Sequence, residues 1–319
     1  MRFVLFALIA AYQWDLPKGF PTPPVPADNP MTAAKVELGR HLFYDTRMSA
    51  NGKSSCATCH RQELAFTDGR AVAVGTTGEH HTRGAMSLVN IAYSTALTWS
   101  TPGVTRLEEQ ALVPMFGEHP VELGLREGDG FLPMLRADTK YRSLFERAFP
   151  DEPDRFTIAN VVKAIACFER SIVSARSPYD RYHFDRDDTA VSESAKRGEI
   201  LFFSQKQACF RCHGGVNFGG GAEFHNTGLS AIDGTQFKAP TLRNIAITAP
   251  YMHDGSIATL DAVIDHYAAG GKVGHENPHK DPLVGGFHLM PEEQLDLIAF
   301  LQSLTDEAVL YDPRFASPW

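Results

Sequence analysis

Apolar positions along the chain recur mostly at helical spacing, which predicts a protein built from helices. One clear stripe joins Leu260, Val263, Ile264 and Tyr267, so Tyr267 is predicted to face inward with the apolar side of its helix. Long runs that alternate apolar and polar residues are absent, and little sheet is therefore predicted. Helices are predicted over residues 32–44, from about 105, over 141–148, over 157–173, from 259 and from 291.

Two helical cues occur twice in the chain. The sequence GRHLF, which starts at Gly39, returns as GEILF from Gly198, and the later helices contain IACF from Ile165 and IAFL from Ile298. The repetition predicts one folding unit used twice. We predict an N-terminal domain over residues 31–185 and a C-terminal domain over 186–319, with the boundary in the polar, charged stretch 177–189.

A second repeated motif lies inside each unit and carries the chemistry. Cys56, Cys59 and His60 form C-x-x-C-H, and Cys209, Cys212 and His213 form it again. Two thiols one helical turn apart can each form a thioether to one porphyrin, and the adjacent imidazole can ligate its iron. A redox dithiol or half of a zinc site would need no adjacent histidine. The pattern predicts an all-α protein with two cytochrome c-like domains, each holding one covalent c-type haem.

Composition narrows the class further. The 319 residues are 43% apolar and carry a formal charge of −8, with no basic stripe, so nucleic acid is an unlikely class of partner. Four of the five cysteines belong to the two motifs, which leaves Cys167 on the apolar face of its helix. There it is predicted to be a structural thiol.

The N-terminus predicts export. Residues 1–11 place one arginine before about nine apolar residues, too few to span a bilayer, so stable membrane insertion is not expected. An ordinary apolar N-terminus is the alternative. Residues 1–30 are predicted to comprise an export signal remnant followed by a proline-rich, extended lead-in. Because bacteria attach haem to such motifs after translocation, we expect a periplasmic protein.

Several segments resemble one known family. The set RGAMSLVN, LEEQALVP, VELG, APTLRNIAITAPYMHDGSIATL and DLIAFLQSLT is similar to the bacterial dihaem cytochrome c peroxidase and MauG superfamily, from about Ala33 to Thr305. The stretch from Thr98 to Gly124 looks most like the MbnH-type branch. Members of that branch accompany the copper-associated partner MbnP and oxidise one of its tryptophans to kynurenine.

The resemblance assigns peroxide chemistry to the first haem, the one ligated by His60. Glu122 matches the family's distal glutamate and Gln110 its distal glutamine. Read without the family, Glu122 would be a solvated surface acid. Because the segment from Pro114 to Glu122 is two residues longer than expected, Glu118 is a second candidate.

The peroxidases also carry a histidine in the early loop. His80 or His81 would stand for it, although the surrounding loop departs from the family's pattern.

For the second haem, the same resemblance implies six-coordinate iron. Tyr267 aligns with the sixth ligand, which is a methionine in the peroxidases and a tyrosine in MauG. A phenolate lowers the reduction potential and favours high-valent iron. His266, Met252 and Met290 are competing ligands, and a plain core tyrosine is the alternative.

Further residues match the family's inter-haem region. Trp99 matches the tryptophan that relays an oxidising equivalent between the haems, with core packing as the alternative. Asn90, Thr248 and Pro250 match the ligands of an inter-domain calcium ion.

Arg243 is predicted to pair with a haem propionate, and a surface salt bridge would leave the same pattern in the sequence.

These matches imply a peroxide-dependent oxidoreductase that holds two oxidising equivalents across both haems. It would use them to oxidise a tryptophan of a partner protein, MbnP-like and copper-associated. The first alternative is a peroxidase that reduces hydrogen peroxide with electrons from a small redox protein. The second is a dihaem electron carrier without enzymatic activity.

Overall fold

The fold was analysed in a computed structural model, which describes residues 12–126, 128–230, 234–272 and 277–319. Helices dominate it, and the one short sheet pairs β1 (Phe224–His225) with β2 (Phe237–Lys238) in antiparallel register. The all-α prediction is confirmed. The predicted export signal in residues 1–11 lies outside the described residues. The α-helices are α1 (Ala33–Tyr44), α2 (Cys56–Cys59), α3 (Leu107–Gln110), α4 (Leu112–Phe116), α5 (Phe131–Ala137), α6 (Thr139–Ala148), α7 (Ile158–Ser171), α8 (Pro178–Phe184), α9 (Glu193–Phe202), α10 (Leu260–Ala268), α11 (Pro291–Ser303) and α12 (Glu307–Tyr311).

Side-chain caps set the start of the long helices. The hydroxyl of Thr32 accepts from the backbone N–H of Lys35 at the start of α1, and Thr259 accepts from Ala262 at the start of α10, as the sequence predicts for Thr259. Thr157 and Ser192 cap α7 and α9 in the same way. Each cap satisfies one of the amide groups that a helix leaves without an internal partner.

Two crossings of long helices organise the molecule, α1 against α7 and α9 against α11. At each crossing a glycine lets the backbones touch. A Cβ on Gly39 would lie 1.9 Å from the carbonyl oxygen of Ala164, and one on Gly198 would lie 1.9 Å from that of Asp296. The repeated glycine is therefore required by close helix packing, which no larger residue permits without displacement.

Aromatic side chains next to these glycines fill the two cores. Phe43 on α1 packs against Phe168 on α7 with ring centroids 5.1 Å apart, and Phe202 on α9 packs against Phe300 on α11 at 5.0 Å. All four are almost completely buried. The two halves of the chain thus repeat the same helix crossing with the same aromatic pair.

The two halves exchange elements at their ends. Tyr179 on α8 packs on Phe218 and Phe300 of the C-terminal core, although the predicted boundary assigned α8 to the N-terminal domain. Val309 and Leu310 on α12 pack in the N-terminal core instead. Chain order alone therefore does not divide the molecule at residue 185.

The proline-rich lead-in is part of the packed structure. Phe20 is buried against Tyr93 and Phe184, and the Tyr93 hydroxyl donates to the carbonyl of Pro21. Asn29 is fully buried, and its amide donates to Glu108. The segment contacts both halves, because Tyr93 lies in the N-terminal half and Phe184 ends α8, which packs on the C-terminal core.

Among the described residues, none of the helices has the length and apolar character needed to cross a bilayer.

Candidate haem sites

The first C-x-x-C-H motif folds as a single helical turn. Cys56 and Cys59 begin and end α2, and the backbone N–H of His60 donates to the carbonyl of Cys56. The Nδ1 of His60 lies 2.9 Å from the carbonyl oxygen of Phe66 and donates to it, which leaves Nε2 free to ligate a metal. Burial lowers the pKa of His60, so the imidazole is neutral, as a ligand must be.

The second motif repeats this arrangement with a 3₁₀ turn, Cys209–Arg211. The Nδ1 of His213 lies 3.3 Å from the carbonyl oxygen of Phe218 and 3.2 Å from that of Pro240. Burial lowers the pKa of His213 to about 4, and this imidazole is also neutral with Nε2 available. Both histidines are therefore oriented by backbone carbonyls, which is the usual device for fixing a ligating imidazole.

A large cavity opens beside the second motif, and we call it the second cavity. Its empty volume is about 1430 Å³ with the solvent at its mouth included, and its wall is mostly apolar. Cys209, Cys212, His213 and Tyr267 are among the residues that line it. Two thiols, one neutral imidazole and a large apolar space fit a covalent haem, so the residues present match the family's cofactor.

Tyr267 and Met252 are the predicted sixth ligands that line the second cavity. Burial, and to a lesser extent the Cys212 and Cys209 thiols that line the same cavity, raise the pKa of Tyr267. The other two candidates are placed elsewhere. The Nε2–H of His266 donates to the carbonyl oxygen of Thr227 at 2.8 Å, and Met290 is half-exposed at the start of α11.

Glu122 lies beside the first haem motif. Burial raises its pKa, and its charge would raise the pKa of both Cys56 and Cys59. Glu118, the second candidate, is exposed to solvent. Glu122 is therefore a half-buried carboxyl near both attachment cysteines, as Glu169 is near Cys56 and Asp68 near Cys59, and its catalytic role stays a prediction.

His81 approaches Glu122, which the sequence only weakly suggested. A positive charge on His81 would lower the pKa of Glu122, and the Nε2 of His81 is buried without a hydrogen-bond partner among the described residues. His80 is exposed. An unpaired buried nitrogen beside the first motif fits a ligand-binding role, whereas His80 faces solvent.

Gln110 ends α3 and is half-buried. It precedes α4, while Glu122 lies in the loop that follows α4. The described hydrogen bonds do not join the two side chains, so a shared distal role stays a prediction.

Trp99 lies between the two motifs. It lines the second cavity and also a smaller cavity bordered by Thr67 and Asp68, which follow the first motif. Its indole N–H donates to the carbonyl of Gly84 at 2.8 Å, and its own carbonyl accepts from the backbone N–H of Lys238. These bonds hold the ring at the junction of the two halves.

The predicted calcium ligands are not brought together. Thr248 and Pro250 line the smaller cavity, but the side-chain oxygen of Asn90 accepts from the Ser174 N–H at 2.6 Å and its amide donates to the Ser174 carbonyl. Asn90 is fully buried in this contact, so its oxygen is already engaged. Within the described ranges no three His, Cys, Asp or Glu side chains cluster as metal ligands. The calcium site stays a prediction.

Arg243 has a different partner from the one predicted. Its guanidinium is fully buried and makes two hydrogen bonds to Asp180, at 2.8 and 3.0 Å, with a third to the carbonyl of Val216. The surface salt bridge considered as an alternative is excluded by this burial. The structure assigns Arg243 to the packing of α8, and a propionate contact stays a prediction.

Glu169 is a buried acid that sequence reasoning missed. It stands on α7 next to Phe168, and burial raises its pKa to about 8. Leu301 stands next to Phe300 on α11 and lines the second cavity. The matching crossings therefore put a carboxyl in the first half where the second half has leucine. This pairing comes from the packing of Phe168 against Gly39 and of Phe300 against Gly198, and it differs by one residue from the sequence match of IACF with IAFL.

Comparison with known proteins places these features in a family. A family profile described as di-haem cytochrome c peroxidase matches residues 33–189, and one described as cytochrome c matches residues 195–305. The chain is 36% identical over 301 residues to the methylamine utilization protein MauG of Methylophilus methylotrophus, covering 90% of this chain and 87% of that protein. It is 35% identical over 344 residues to the cytochrome-c peroxidase IdrP1 of Denitromonas iodatirespirans, covering 92% and 88%.

A solved structure is also similar over nearly the whole chain. It is a MauG-like protein associated with microbial copper homeostasis, 40% identical, with a TM-score of 0.91, and the match covers 97% of this chain and 100% of that one.

Proposed function

The chain belongs to the di-haem cytochrome c peroxidase and MauG family and is a dihaem peroxidase-type oxidoreductase, and from that premise we propose that it uses hydrogen peroxide to oxidise a tryptophan of a partner protein. The bound haems supply the iron that reacts with peroxide and stores oxidising equivalents. The chain's own residues orient the peroxide, move protons and conduct charge.

Glu122 is the proton-transfer residue of this proposal. Cleavage of the O–O bond requires a proton to leave one peroxide oxygen and a proton to reach the other, which departs as water. Burial raises the pKa of Glu122, so its carboxylate is a better proton acceptor than that of an exposed glutamate. His81, beside it, is the candidate for orienting the peroxide.

Tyr267 carries the choice between the family's two activities. Tyr267 lines the same cavity as His213, and its phenol oxygen would ligate the iron of a haem held there. An anionic phenolate favours oxidised iron, whereas a thioether favours reduced iron. A tyrosine-ligated haem is suited to storing an oxidising equivalent, and less suited to delivering electrons to peroxide.

Trp99 is proposed to conduct the charge between the two sites. It borders both the second cavity and the smaller cavity, and its indole N–H is bonded to a backbone carbonyl. A backbone carbonyl accepts this hydrogen bond but is too weak a base to remove the proton. The ring can therefore lose and regain an electron while it keeps its N–H proton. Conduction through the protein also means that the oxidised residue of the partner need not enter a cavity.

The proposed partner is a copper-associated protein of the MbnP kind, and the proposed compartment is the periplasm. The 40% identical solved relative is described as associated with microbial copper homeostasis, which supports a copper-linked partner. Covalent attachment of haem after export supports the compartment.

The test combines the haem-loaded protein, stoichiometric hydrogen peroxide and an MbnP-like partner. We expect a long-lived near-infrared absorption band that decays when the partner is added, and an oxygen-derived mass gain on one partner tryptophan. Tyr267→Met should fold but lose both signals, while the control Tyr311→Phe, at an exposed position, should keep them. Full signals in Tyr267→Met would refute the assignment of Tyr267 as the ligand.

A peroxidase fed by a small redox protein is the second candidate function, because Met252 also lines the second cavity and could serve as a thioether ligand. The similarity to a cytochrome-c peroxidase supports it. It predicts that peroxide is consumed only when a reduced cytochrome is supplied, with no mass gain on the partner. Met252→Leu would then abolish turnover, and under the first proposal it would leave the near-infrared band in place.

A further inference from the structure

Lys238 is a buried cation without a partner. It ends β2, its side chain is 5% exposed, and within the described ranges its amino group makes no hydrogen bond or ion pair. Other buried basic groups are paired: Arg243 with Asp180, and Lys35 with the side chain of Asn29. Among the buried lysines and arginines that the structure describes, Lys238 is the exception.

The position of Lys238 indicates what would pair with it. It lies on the wall of the second cavity, and no aspartate or glutamate stands among the described residues on that wall. Burying an ammonium group without a counter-charge costs several kcal/mol in general, and the group then shifts its pKa, which burial lowers here to about 8. An anion carried by the occupant of the cavity would remove that cost.

A haem carries such an anion. The faces of the porphyrin are apolar, which suits the apolar wall, and its propionates are carboxylates at one edge. We propose that the amino group of Lys238 binds a propionate carboxylate of the second haem. His225 also lines this cavity, but its ring is already bonded to Asp281 at 2.6 Å.

A backbone hydrogen bond links Lys238, and with it the proposed propionate contact, to Trp99. Its N–H donates to the carbonyl of Trp99 at 2.8 Å, and the Trp99 ring lines the same cavity. A propionate held by Lys238 therefore fixes the carboxylate edge of the second haem beside Trp99. Lys238 is in this sense a positioning residue. This last step rests on the proposed relay role of Trp99, whereas the propionate contact does not.

The repeat shows that this cation is specific to the second half. Asn90 and Asn244 both have a left-handed backbone and each begins a 3₁₀ turn, so they mark equivalent positions. Six residues before Asn244 stands Lys238, and six before Asn90 stands Gly84. Gly84 gives its carbonyl to the Trp99 indole instead. Gly84 thus contacts the ring of Trp99, and Lys238, at the equivalent position of the second half, contacts its backbone.

Redox titration of the haem-loaded protein, followed by absorbance, tests the contact. Lys238→Met removes the charge at similar length, so reduction of the second haem should become at least tenfold less favourable, about 59 mV for a one-electron couple. The first haem should not change. Lys238→Arg keeps the positive charge, so the second haem should keep most of its parent reduction potential. Lys206→Met changes an exposed lysine near the same motif and should leave the potentials of both haems unchanged.

A direct structural measurement completes the test. Resonance Raman spectra should show a shifted propionate-bending band of one haem in Lys238→Met and an unshifted band in Lys206→Met. An unchanged potential together with an unshifted band would overturn the proposal. If Lys238→Met does not fold, a crystal structure of the holoprotein decides: the amino nitrogen within about 3.2 Å of a propionate oxygen supports the contact, and a longer separation refutes it.

These readouts use neither peroxide nor a partner protein. If the contact is found but no tryptophan is oxidised, the proposed function alone is wrong. If a tryptophan is oxidised but the contact is not found, the role of Lys238 alone is wrong.

Discussion

The N-terminal and C-terminal halves use the same helix crossing around different chemistry. In each half a glycine on the first helix meets the backbone of the last, and a phenylalanine pair closes the core beside it. In each, a backbone carbonyl orients the histidine of the motif. The scaffold that attaches and orients a haem is thus common to both.

The side chains that face the two sites differ. The first half has Glu122, His81 and Glu169 near its motif, whereas the second half has Tyr267 and Leu301 on its cavity wall. Groups that carry protons suit a site that reacts with peroxide. A phenol that can ligate iron suits a site from which peroxide is excluded. The duplicated fold therefore keeps the attachment cysteines and the oriented histidine in both halves, while a few of the surrounding side chains differ.

The largest expected effect tests the difference at the first site. Glu122→Gln removes the proton-transfer group without a change of size, so the reaction of the first haem with peroxide should slow by about 10²–10⁴-fold. Stopped-flow absorbance measures it. The resting spectra of both haems, recorded before peroxide is added, serve as a check that the second site is intact. Glu118→Gln, at an exposed position, should react at the normal rate; a comparable loss there would move the role to Glu118.

Much of this comparison could be predicted from the sequence, because motif spacing and helical periodicity are local. The attachment cysteines, the repeated glycine cue and the cap at Thr259 all depend on residues within a few positions of one another. The predictions that need long-range packing were less successful. Chain order does not determine which core a terminal helix covers, and α8 and α12 each pack on the half opposite to the one predicted.

Side-chain partners were harder still to predict. Asn90 was assigned to calcium, but its oxygen is bonded to Ser174, and Arg243 was assigned to a propionate, but it is bonded to Asp180. Each partner is more than 60 residues away in sequence, so no local pattern indicates it. Glu169 was overlooked because a charged residue on a helix ordinarily faces solvent.

The next prediction tests what the two halves share. Gly39→Ala and Gly198→Ala each place a methyl carbon 1.9 Å from a backbone carbonyl oxygen of the crossing helix, and that contact must separate the helices. We expect each variant to lose about 3 kcal/mol in the free energy of unfolding. Denaturant titration followed by circular dichroism measures it.

Gly221→Ala is the matched control, because a Cβ there meets no atom within 4 Å. Its stability should stay within about 0.5 kcal/mol of the parent protein. If one crossing glycine tolerated alanine and the other did not, the two halves would not share the crossing as argued.

Replacing Glu169 by the leucine found at the matching position of the second half should change how the stability depends on pH. The pKa of Glu169 is raised from 4.5 to about 8, so the folded chain keeps a proton that the unfolded chain loses between those values. Its contribution to stability is complete below pH 4.5 and is lost as pH rises to about 8, by roughly 1.4 kcal/mol per pH unit within the window. Glu169→Leu, which copies Leu301, should flatten that slope.

Thermal unfolding of the holoprotein between pH 5 and pH 8 measures the slope. Glu169→Gln should flatten it equally, since it also removes the titrating group. Glu109→Gln, at an exposed position on α3, should leave the slope unchanged. A slope that persisted in Glu169→Leu would show that another acid, such as Glu122, is responsible.

The smallest effect concerns the bond that joins the two halves. Ser174 follows α7, and its backbone is bonded to Asn90, while its hydroxyl donates to the side-chain oxygen of Asn244 at 2.9 Å. All three residues are fully buried. Ser174→Ala keeps both bonds to Asn90 but leaves the Asn244 oxygen buried without that donor, which should cost about 1–2 kcal/mol. Ser143→Ala, at a surface serine bonded to Arg147, should cost less than about 0.5 kcal/mol. Because Asn90 and Asn244 occupy equivalent positions, a cost no larger than that of Ser143→Ala would mean that this buried bond does not contribute to holding the halves together.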